Sequence, residues 1–460
     1  MKKRSSSPLS SGAFSSSHHD EKNQRDLASL ELPQYRIQLA AACREFPVQL
    51  YRFCDTLEVL DLSNNQLSEL PEDFWRFKRL KRLFLTNNCF TAVPKVLAQC
   101  PELIMVSFKG NRLTEFAEGT LPTSLQWLIL TDNQLTALPE DFGRYQQLQK
   151  LALAGNQLEA LPASMLQCQE LGLLRLALNR FSSFPDWLFR LPKLAWLALG
   201  GNPACPVPTP HEAAVPQWPV SALQYHEQLG QGASGIIYRV SLNTACSTLP
   251  ANNFALKEFK GSITSDGCPT EELQNYLNAG PHENLIPIIA TLVGASTPGF
   301  VMALLPSGCR SLGLPPSFDT ITRDTFAKGT VVELSQLLAW SQQLAAVLAH
   351  LHQKDILHGD LYAHNIMIRQ DEHLLLGDFG AATALNRLPL WQQQQAKALE
   401  IRAFGYFLAD LLALLPPSQG KAPLATQFEQ IMLQCFATEP TERPTAEQLR
   451  VFLQQLVYQS

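Results

Sequence analysis

Apolar residues recur with a nearly constant period through the N-terminal half of this 460-residue chain. The pattern is set by Leu57-x-x-Leu60-x-Leu62-x-x-Asn65-x-Leu67, where apolar positions alternate with variable ones before an asparagine. That asparagine returns at positions 88, 111, 133, 156, 179 and 202, so the period is 23 residues apart from one interval of 22. Alternation of this kind predicts a short strand with one buried face in each of the seven copies.

This pattern resembles the leucine-rich repeats, and it predicts an α/β leucine-rich-repeat solenoid with an N-terminal cap over residues 37–205. The resemblance implies that the leucines of each copy point into a shared core. Each asparagine is expected to bind backbone groups at the turn after its strand, so the asparagines form a buried ladder. Residues 1–36 begin with a Ser-rich polar stretch and are expected to form a disordered tail.

The variable strand positions point away from the leucines and form the concave face of such a solenoid. They are Val59, Asp61, Arg82, Phe84, Met105, Ser107, Trp127, Ile129, Lys150, Ala152, Leu173, Arg175, Trp196 and Ala198. Phe84, Met105, Trp127 and Ile129 lie on neighbouring strands, and we expect them to form an exposed apolar site for a protein or peptide ligand. The alternative is that the tail or the C-terminal domain covers this cluster.

The repeat period ends in a segment with six prolines between Pro203 and Pro219. Its composition predicts a semi-rigid linker over residues 206–219. A second domain is expected over residues 220–460, because the chain is long enough for two hydrophobic cores.

Near the start of this domain, three glycines in a short apolar setting form a segment that can approach phosphate groups closely. The segment comprises Leu229, Gly230, Gln231, Gly232, Ala233, Ser234, Gly235, Ile236 and Ile237. Lys257 follows on an apolar, strand-like run that begins at Ala255. Glu272, in a stretch with helical character, is the expected ion-pair partner of Lys257.

Two later motifs carry the acidic groups that phosphoryl transfer requires. The first runs from His358 to Asn365 and includes Asp360, and the second is Asp378-Phe379-Gly380. One carboxylate can orient an attacking hydroxyl, while the other and the amide can hold a magnesium ion that bridges nucleotide phosphates. We expect His358 itself to be a neutral, hydrogen-bonded packing residue.

The order and spacing of these elements resemble the eukaryotic-type protein kinases over roughly residues 218–460. The resemblance implies a two-lobed α+β protein-kinase-like domain that uses ATP and Mg²⁺. It assigns catalytic roles to Asp360, Lys257 and Glu272, and metal binding to Asn365 and Asp378. It further places Ala255, Met302, Ala303 and Leu304 beside the nucleotide, together with the glycine-rich segment and Lys257.

Several positions depart from the family pattern. Gly359 stands where most of these kinases have an arginine that pairs with an activation-segment phosphate, and Tyr362 replaces a Lys or Arg that contacts the transferred phosphoryl group. Only 22 positions separate Asp378 from Glu400, which we align with an acidic residue of a later helix. No Ala-Pro-Glu is present to pair with Arg443. We therefore expect a rebuilt substrate platform and no switching by phosphorylation of this segment.

The acceptor class stays open at this point. The His-Gly-Asp spelling also resembles the aminoglycoside and choline kinases, which phosphorylate small molecules. A pseudokinase scaffold that binds partners through its repeats is a further alternative. Because the other motifs look like those of protein kinases, we expect a protein kinase specific for serine or threonine.

Composition bears on the cellular location of the protein and on its binding to nucleic acids and membranes. Ten cysteines show no paired or metal-ligand spacing, which indicates reduced thiols and a cytoplasmic location. A net charge of −5 without a long basic block gives no indication of nucleic-acid binding. No apolar stretch is long enough to predict a membrane span.

Overall fold

The computed structural model describes residues 33–208, 215–232, 234–243, 253–261, 263–264, 266–295 and 297–456. Most of the expected tail, residues 209–214 of the expected linker, and Ala233 lie outside the described residues. The chain divides into two compact units. The first runs through Leu151 and includes Asn156–Cys168, whereas the second comprises Ala152–Gly155 and Gln169–Ser460.

Eight strands of three residues each carry the N-terminal repeats. They are β1 (Arg36–Gln38), β2 (Val59–Asp61), β3 (Arg82–Phe84), β4 (Met105–Ser107), β5 (Trp127–Ile129), β6 (Lys150–Ala152), β7 (Leu173–Arg175) and β8 (Trp196–Ala198). In the first unit, β1 to β5 pair in parallel, so that the central leucine of β2 lies opposite that of β3. These central residues, among them Leu60 and Leu83, are fully buried, as the alternating pattern requires.

Short 3-10 helices connect successive strands of the repeats. They span Val48–Phe53, Phe74–Arg76, Lys95–Gln99, Phe142–Arg144, Ala163–Gln167 and Asp186–Arg190. Four of the six follow a proline at the position before the helix, where its fixed φ angle suits an extended entry. Compact helices of this kind fit the short interval between strands that a 23-residue period leaves.

The buried asparagine ladder is confirmed. The side-chain amide of Asn88 donates to the carbonyl oxygens of Leu62 in the preceding repeat, at 2.9 Å, and of Leu85 in its own repeat, at 3.2 Å. Its side-chain oxygen accepts from the Leu67 amide at 3.0 Å. Asn65 makes the same kind of contacts one repeat earlier. Each asparagine thus satisfies backbone groups that would otherwise be buried without partners.

The expected exposure of the apolar cluster on β3 to β5 is partly wrong. Phe84, Trp127 and Ile129 are partly exposed, but Met105 has only 2% of its surface accessible. Met105 lies between Arg82 and Trp127 at the same register on the two neighbouring strands. Because adjacent strands are only about 4.8 Å apart, the larger side chains on either side cover the slender methionine.

The second unit contains β7, β8 and the whole C-terminal domain. β7 and β8 pair in parallel, with Arg175 opposite Ala198. The domain opens with a six-stranded sheet in the order β10-β11-β12-β14-β13-β9. Its strands are β9 (Gln217–Pro219), β10 (Leu223–Gln231), β11 (Gly235–Leu242), β12 (Asn253–Phe259), β13 (Ile288–Val293) and β14 (Gly299–Ala303). β9 therefore falls within the segment that composition marked as a linker, and it pairs in parallel with β13.

One helix, α1 (Pro269–Ala279), lies between β12 and β13 in the chain and begins with a proline in its first turn. Four more helices follow, namely α2 (Leu334–Gln353), α3 (Leu390–Leu412), α4 (Pro423–Cys435) and α5 (Ala446–Leu456). The remaining strands are β15 (Arg310–Ser311), β16 (Ile356–Leu357), β17 (Ile366–Ile368), β18 (Leu374–Leu376) and β19 (Thr383–Ala384). Short 3-10 helices also occur at Val220–Ala222, Ala363–Asn365 and Pro440–Glu442.

Buried faces of α2, α3 and α4 form the centre of the C-terminal core, which includes Trp340, Leu348, Phe404 and Phe428. The same core contains Leu173 and Trp196 from β7 and β8. The last two repeats and the C-terminal domain thus share one hydrophobic core. In the described part of the chain, no helix combines the length and apolarity needed to cross a membrane.

Candidate active site

Lys257 lies in the middle of β12, between Ile237 on β11 and Phe300 on β14. Its ammonium forms an ion pair with Glu272 on α1 and lies 3.6 Å from Asp378 Oδ1. Burial by itself would lower the pKa of Lys257, but Asp378 and Glu272 raise it above its ordinary value. The lysine is therefore a buried, permanently charged group with two carboxylates beside it.

The described residues of the glycine-rich segment lie at the end of β10, at Gly232 and Ser234, and at the start of β11. The Gly232 amide donates to the Gly235 carbonyl oxygen at 2.9 Å. A Cβ at Gly235 would lie 2.5 Å from the Glu258 carbonyl oxygen, so only glycine fits there. At Gly230 and Gly232, by contrast, a Cβ would meet no described atom within 4 Å. The space beside these two glycines is therefore open in the described part of the chain.

Residues expected beside the base of the nucleotide lie on adjoining strands. Ala255 pairs with Met302, and Ala303 pairs with Phe254 one position along. Ala255 and Met302 are buried, whereas Leu304 and Ile237 are partly buried against the main core. Leu229 is 45% exposed at the end of β10.

Asp360 and Asn365 lie on the loop between β16 and β17. The Asn365 side-chain amide donates to the carbonyl oxygen of Asp360 at 2.9 Å and to its Oδ2 at 2.8 Å. These bonds use the amide nitrogen, which leaves the amide oxygen of Asn365 as the atom suited to a cation. Asp378 is half exposed and has a φ of 52°, and its Oδ1 accepts from the Gly380 amide at 3.2 Å.

The oxygen donors Asn365 and Asp378 fit a magnesium ion bound jointly with phosphates and water. Among the described residues, no group of three His, Cys, Asp or Glu side chains is arranged to hold a metal ion.

Aromatic packing fixes the Asp378-Phe379-Gly380 segment. The Phe379 ring stacks on Tyr276 of α1, with centroids 4.2 Å apart, and meets the His358 ring edge-on at 5.2 Å. His358 is fully buried, and its Nε2 lies 2.9 Å from the Gly377 carbonyl oxygen. His358 thus has the packing environment expected of it, and the stack connects α1, which carries Glu272, to the loop that carries Asp360.

Glu400 of α3, the acid that the sequence alignment singled out, binds the loop that carries Asp360. Its Oε1 accepts from the Gly359 amide at 2.8 Å, and its Oε2 lies 2.8 Å from His352 Nε2. Arg443, which has no Ala-Pro-Glu partner, donates instead to the carbonyl oxygens of Ala437, Ala398 and Thr438. Burial lowers the pKa of Arg443 to about 9.

The structure adds two residues from the repeats to this site. The Arg175 guanidinium forms ion pairs with Asp360 and Asp266 and donates to the Gly359 carbonyl oxygen at 2.9 Å. Trp196 donates from Nε1 to the Leu361 carbonyl oxygen at 2.9 Å. Sequence periodicity placed both side chains on the outward strand face, but nothing in the sequence indicated what they would contact.

The same contact explains the glycine at position 359. Gly359 has a φ of 74°, a left-handed conformation that side chains disfavour. A Cβ there would lie 2.6 Å from the carbonyl oxygens of both Leu197 on β8 and Ala381. The arginine that the kinase resemblance implies at this position therefore has no space.

Thr383 is also held by the last repeat. Its hydroxyl oxygen accepts from the Leu199 amide at 3.0 Å, and its side chain is fully buried. The shortened segment after Asp378 is therefore packed against the chain that follows β8.

Comparisons with known proteins match two kinds of domain in this chain. Residues 223–403 match the family described as protein tyrosine and serine/threonine kinase. Residues 146–203 match leucine rich repeats, and residues 55–99 match leucine rich repeats in two copies. The chain therefore carries leucine-rich repeats followed by a protein kinase domain, and the fold class expected from the sequence is confirmed.

Individual relatives are distant. A probable serine/threonine-protein kinase of Dictyostelium discoideum is 22% identical over 267 residues, which cover 48% of this chain and 49% of the relative. The serine/threonine-protein kinase KIN28 of Saccharomyces cerevisiae is 22% identical over 215 residues, or 42% of this chain and 65% of the relative. A mouse leucine-rich repeat and calponin homology domain-containing protein is 30% identical over 114 residues, covering 24% and 16%. The chain thus spans less than two thirds of each of these relatives.

Proposed function

We propose that this protein is an ATP-dependent protein kinase specific for serine or threonine. The observation that carries the proposal is the ion pair of Lys257 with Glu272. The Lys257 ammonium also lies 3.6 Å from Asp378. Three charged groups from β12, α1 and the loop after β18 converge there, although burial of charge is costly. A costly cluster of buried charges indicates a functional site, and phosphate binding is the function that fits these groups.

Each group has one role in the proposal. Lys257 binds phosphate oxygens of ATP, and the turn of residues 229–237 covers the phosphates with its backbone amides. Asn365 and Asp378 would hold Mg²⁺, which neutralises phosphate charge when bound. Ala255, Met302, Ala303 and Leu304 border the adenine.

Asp360 orients the acceptor. The oxygen of a serine or threonine hydroxyl attacks the γ-phosphorus of ATP, a new O–P bond forms, and the bond to the β–γ bridging oxygen breaks. ADP leaves with that electron pair, and the hydroxyl proton passes to the Asp360 carboxylate and then to solvent. Asp360 keeps 18% of its side-chain surface accessible, so the carboxylate can meet a hydroxyl.

The choice of serine or threonine rests on the relatives, two of which are named serine/threonine-protein kinases. One observation favours the rival function of a pseudokinase scaffold: Asp360 forms an ion pair with Arg175, which occupies the carboxylate assigned to the acceptor. The intact Lys257–Glu272 pair weighs against that rival, because a scaffold has no need of it.

The repeats supply the second half of the proposal. Phe84, Trp127 and Ile129 are partly exposed on neighbouring strands of the first unit and form the site for a protein or peptide ligand. Lys150 Nζ lies 4.3 Å from the Trp127 ring centroid, which adds a positive charge beside the apolar surface.

A cytoplasmic location belongs to the same proposal. All nine cysteines in the described part of the chain are free thiols. Burial raises the pKa of Cys100, Cys168 and Cys205 to about 12, so these thiols are unreactive packing groups. Thiols of this kind suit a reducing compartment.

Turnover of radiolabelled ATP by the purified protein tests the proposal. We expect magnesium-dependent transfer to serine and threonine peptides of a degenerate library, with a tyrosine library, aminoglycosides, choline and simple sugars as parallel acceptors. The Asp360→Asn variant is the matched control, since it changes one oxygen to nitrogen. Transfer only to the small molecules would contradict the assigned substrate class, and binding of ATP without transfer to any acceptor would favour the scaffold.

A further inference from the structure

The catalytic loop, residues 358–365, contains neither lysine nor arginine beside Asp360. Position 362, where the kinase resemblance implies a lysine or arginine, holds Tyr362, and this tyrosine is 4% exposed. Burial raises the pKa of its hydroxyl well above the ordinary value, so Tyr362 stays neutral. Asp360 thus has no lysine or arginine partner from its own loop, and the histidine of that loop, His364, is paired with Asp324.

Arg175 provides a positive charge at this place. Its side chain is 2% exposed, and its three nitrogens contact Asp266, the Gly359 carbonyl oxygen and Asp360. Burial alone would lower the pKa of the guanidinium, but Asp266 and Asp360 raise it. Arg175 is therefore charged at every physiological pH and fixed from two sides.

The contact between the last repeats and the C-terminal domain is buried on both sides. Trp196 is 2% exposed, and its ring lies flat on Tyr362. Arg402 of α3 is 1% exposed and donates to the carbonyl oxygens of Leu191 and Leu194, at 2.9 and 2.7 Å. Separation would leave these apolar and charged groups without their partners, which is costly.

The same interface reaches the nucleotide side. Glu271 of α1 is 4% exposed, and its carboxyl group lies against Gly200, where a Cβ would collide with it. Glu271 precedes Glu272, the partner of Lys257. The end of β8 therefore packs on both the helix that carries Glu272 and the loop that carries Asp360.

We propose that Arg175 is a positioning residue for phosphoryl transfer: it supplies, from the repeats, the cation that position 362 lacks, and so orients Asp360. The inference rests on the proposed kinase function. In the arrangement that the structure shows, turnover takes place with Arg175 on Asp360. The Lys257–Glu272 pair and the Phe379–Tyr276 stack are formed in the same state, so the contact coexists with an assembled nucleotide site.

The test compares Arg175→Gln with two controls in the full chain. Asp266→Asn removes the other ion pair of Arg175 but leaves its charge on Asp360, and Arg180→Ala removes an exposed arginine from the same repeat. For Arg175→Gln we expect kcat to fall about 100-fold while the Kd for ATP with magnesium changes less than threefold. Arg180→Ala is expected to keep kcat within about threefold of the unmodified protein, and Asp266→Asn is expected to lower kcat clearly less than Arg175→Gln does. A merely structural role would lower kcat equally in Arg175→Gln and Asp266→Asn, and would weaken ATP binding as well.

Other results have distinct meanings. Unchanged or raised kcat in Arg175→Gln would overturn the inference and indicate an inhibitory contact, while leaving the kinase function standing. Absence of turnover in the unmodified protein would instead remove the proposed function, and the inference with it. If thermal unfolding shows that Arg175→Gln does not fold, Arg175→Lys decides, because one ammonium cannot contact Asp266, Gly359 and Asp360 together. A kcat lowered about tenfold with unchanged ATP affinity would then support the inference, and a kcat within twofold of the unmodified protein would overturn it.

Discussion

Trp196 lies flat on Tyr362, with ring centroids 4.5 Å apart and planes inclined by 5°. Tyr406 of α3 also stacks on Trp196, with ring centroids 5.2 Å apart. A tryptophan of the last repeat is thus packed against two aromatic rings of the kinase domain. The last two repeats contribute Leu173, Ala195 and Trp196 to the core of the kinase domain.

This packing predicts different outcomes for two tryptophans that occupy equivalent positions in their repeats. Trp196→Ala should lower the free energy of unfolding by about 3–5 kcal/mol, since it empties a buried site beside the Tyr362 and Tyr406 rings. Trp127→Ala, at a partly exposed site, should cost less than about 1.5 kcal/mol and leave ATP turnover intact. Denaturant unfolding of both variants measures the difference.

Binding gives the second readout for Trp127. If it anchors a ligand, the alanine variant should lose about 2 kcal/mol or more of binding free energy for a peptide selected on the unmodified protein. Equal stability losses in the two variants would show that Trp127 is also a core residue, and would contradict the proposed ligand site.

Gly359 provides a test of the interface that does not depend on catalysis. Gly359→Ala should destabilise the protein by about 1–3 kcal/mol, because the added Cβ meets the Leu197 and Ala381 carbonyl oxygens at a positive φ. Gly420→Ala is the matched control, with its nearest contact at 4.0 Å and no positive φ. Thermal unfolding of the two variants checks this, and similar melting temperatures would contradict the packing at Gly359.

The two acids of the active site should respond differently to substitution. Asp378→Ala should abolish magnesium-dependent ATP binding, because this carboxylate is assigned to the metal. Asp360→Asn should bind ATP normally and lose transfer, since its carboxylate is assigned to the acceptor. Calorimetric titration with ATP and magnesium, combined with a transfer assay, separates the two roles. An equal loss of ATP affinity in both variants would argue against the assignment.

Glu271 predicts a pH dependence of stability. Burial raises the pKa of this carboxyl from its ordinary value of 4.5 to about 8. Between these values the folded chain holds a proton that the unfolded chain has lost, so stability falls as pH rises through that window. Glu271→Gln removes this loss and should be more stable than the unmodified protein at pH 8 by at least about 1.4 kcal/mol.

Denaturant unfolding at pH 5 and pH 8 measures the effect, and the advantage of the glutamine variant should grow with pH. Glu283→Gln, at an exposed site, is the control and should show no such trend. A constant difference across the range would show that Glu271 is ionised in the folded protein.

Phosphorylation should avoid the segment between Asp378 and Glu400. Thr383 is its only hydroxyl residue, and this side chain is fully buried with its oxygen bound to the Leu199 amide. Gly359 also removes the arginine that would bind a phosphate there. After incubation with ATP, mass spectrometry should find phosphate on serines among residues 5–17, which lie outside the described residues. Phosphate on Thr383 with a parallel gain in activity would refute this expectation.

The sequence by itself determined the local chemistry of this protein. A 23-residue period with asparagines fixed the register of the repeats, because each asparagine must satisfy nearby backbone groups. The glycine-rich segment, Lys257, Asp360, Asn365 and Asp378 could be proposed as site residues because the order and spacing of their motifs resemble the protein kinases. Even the outward direction of Arg175 and Trp196 followed from strand alternation.

Only the tertiary structure decided what those outward side chains meet. Arg175 and Asp360 are 185 residues apart, and no local pattern encodes a pairing between a repeat strand and a catalytic loop. Compared with the protein kinase pattern, Gly359 and Tyr362 each stand in place of a basic residue. In the fold, Gly359 makes room for the Leu197 carbonyl oxygen, and Tyr362 gives Trp196 a flat surface. The burial of Met105 likewise depended on the sizes of its neighbours on other strands, which periodicity does not record.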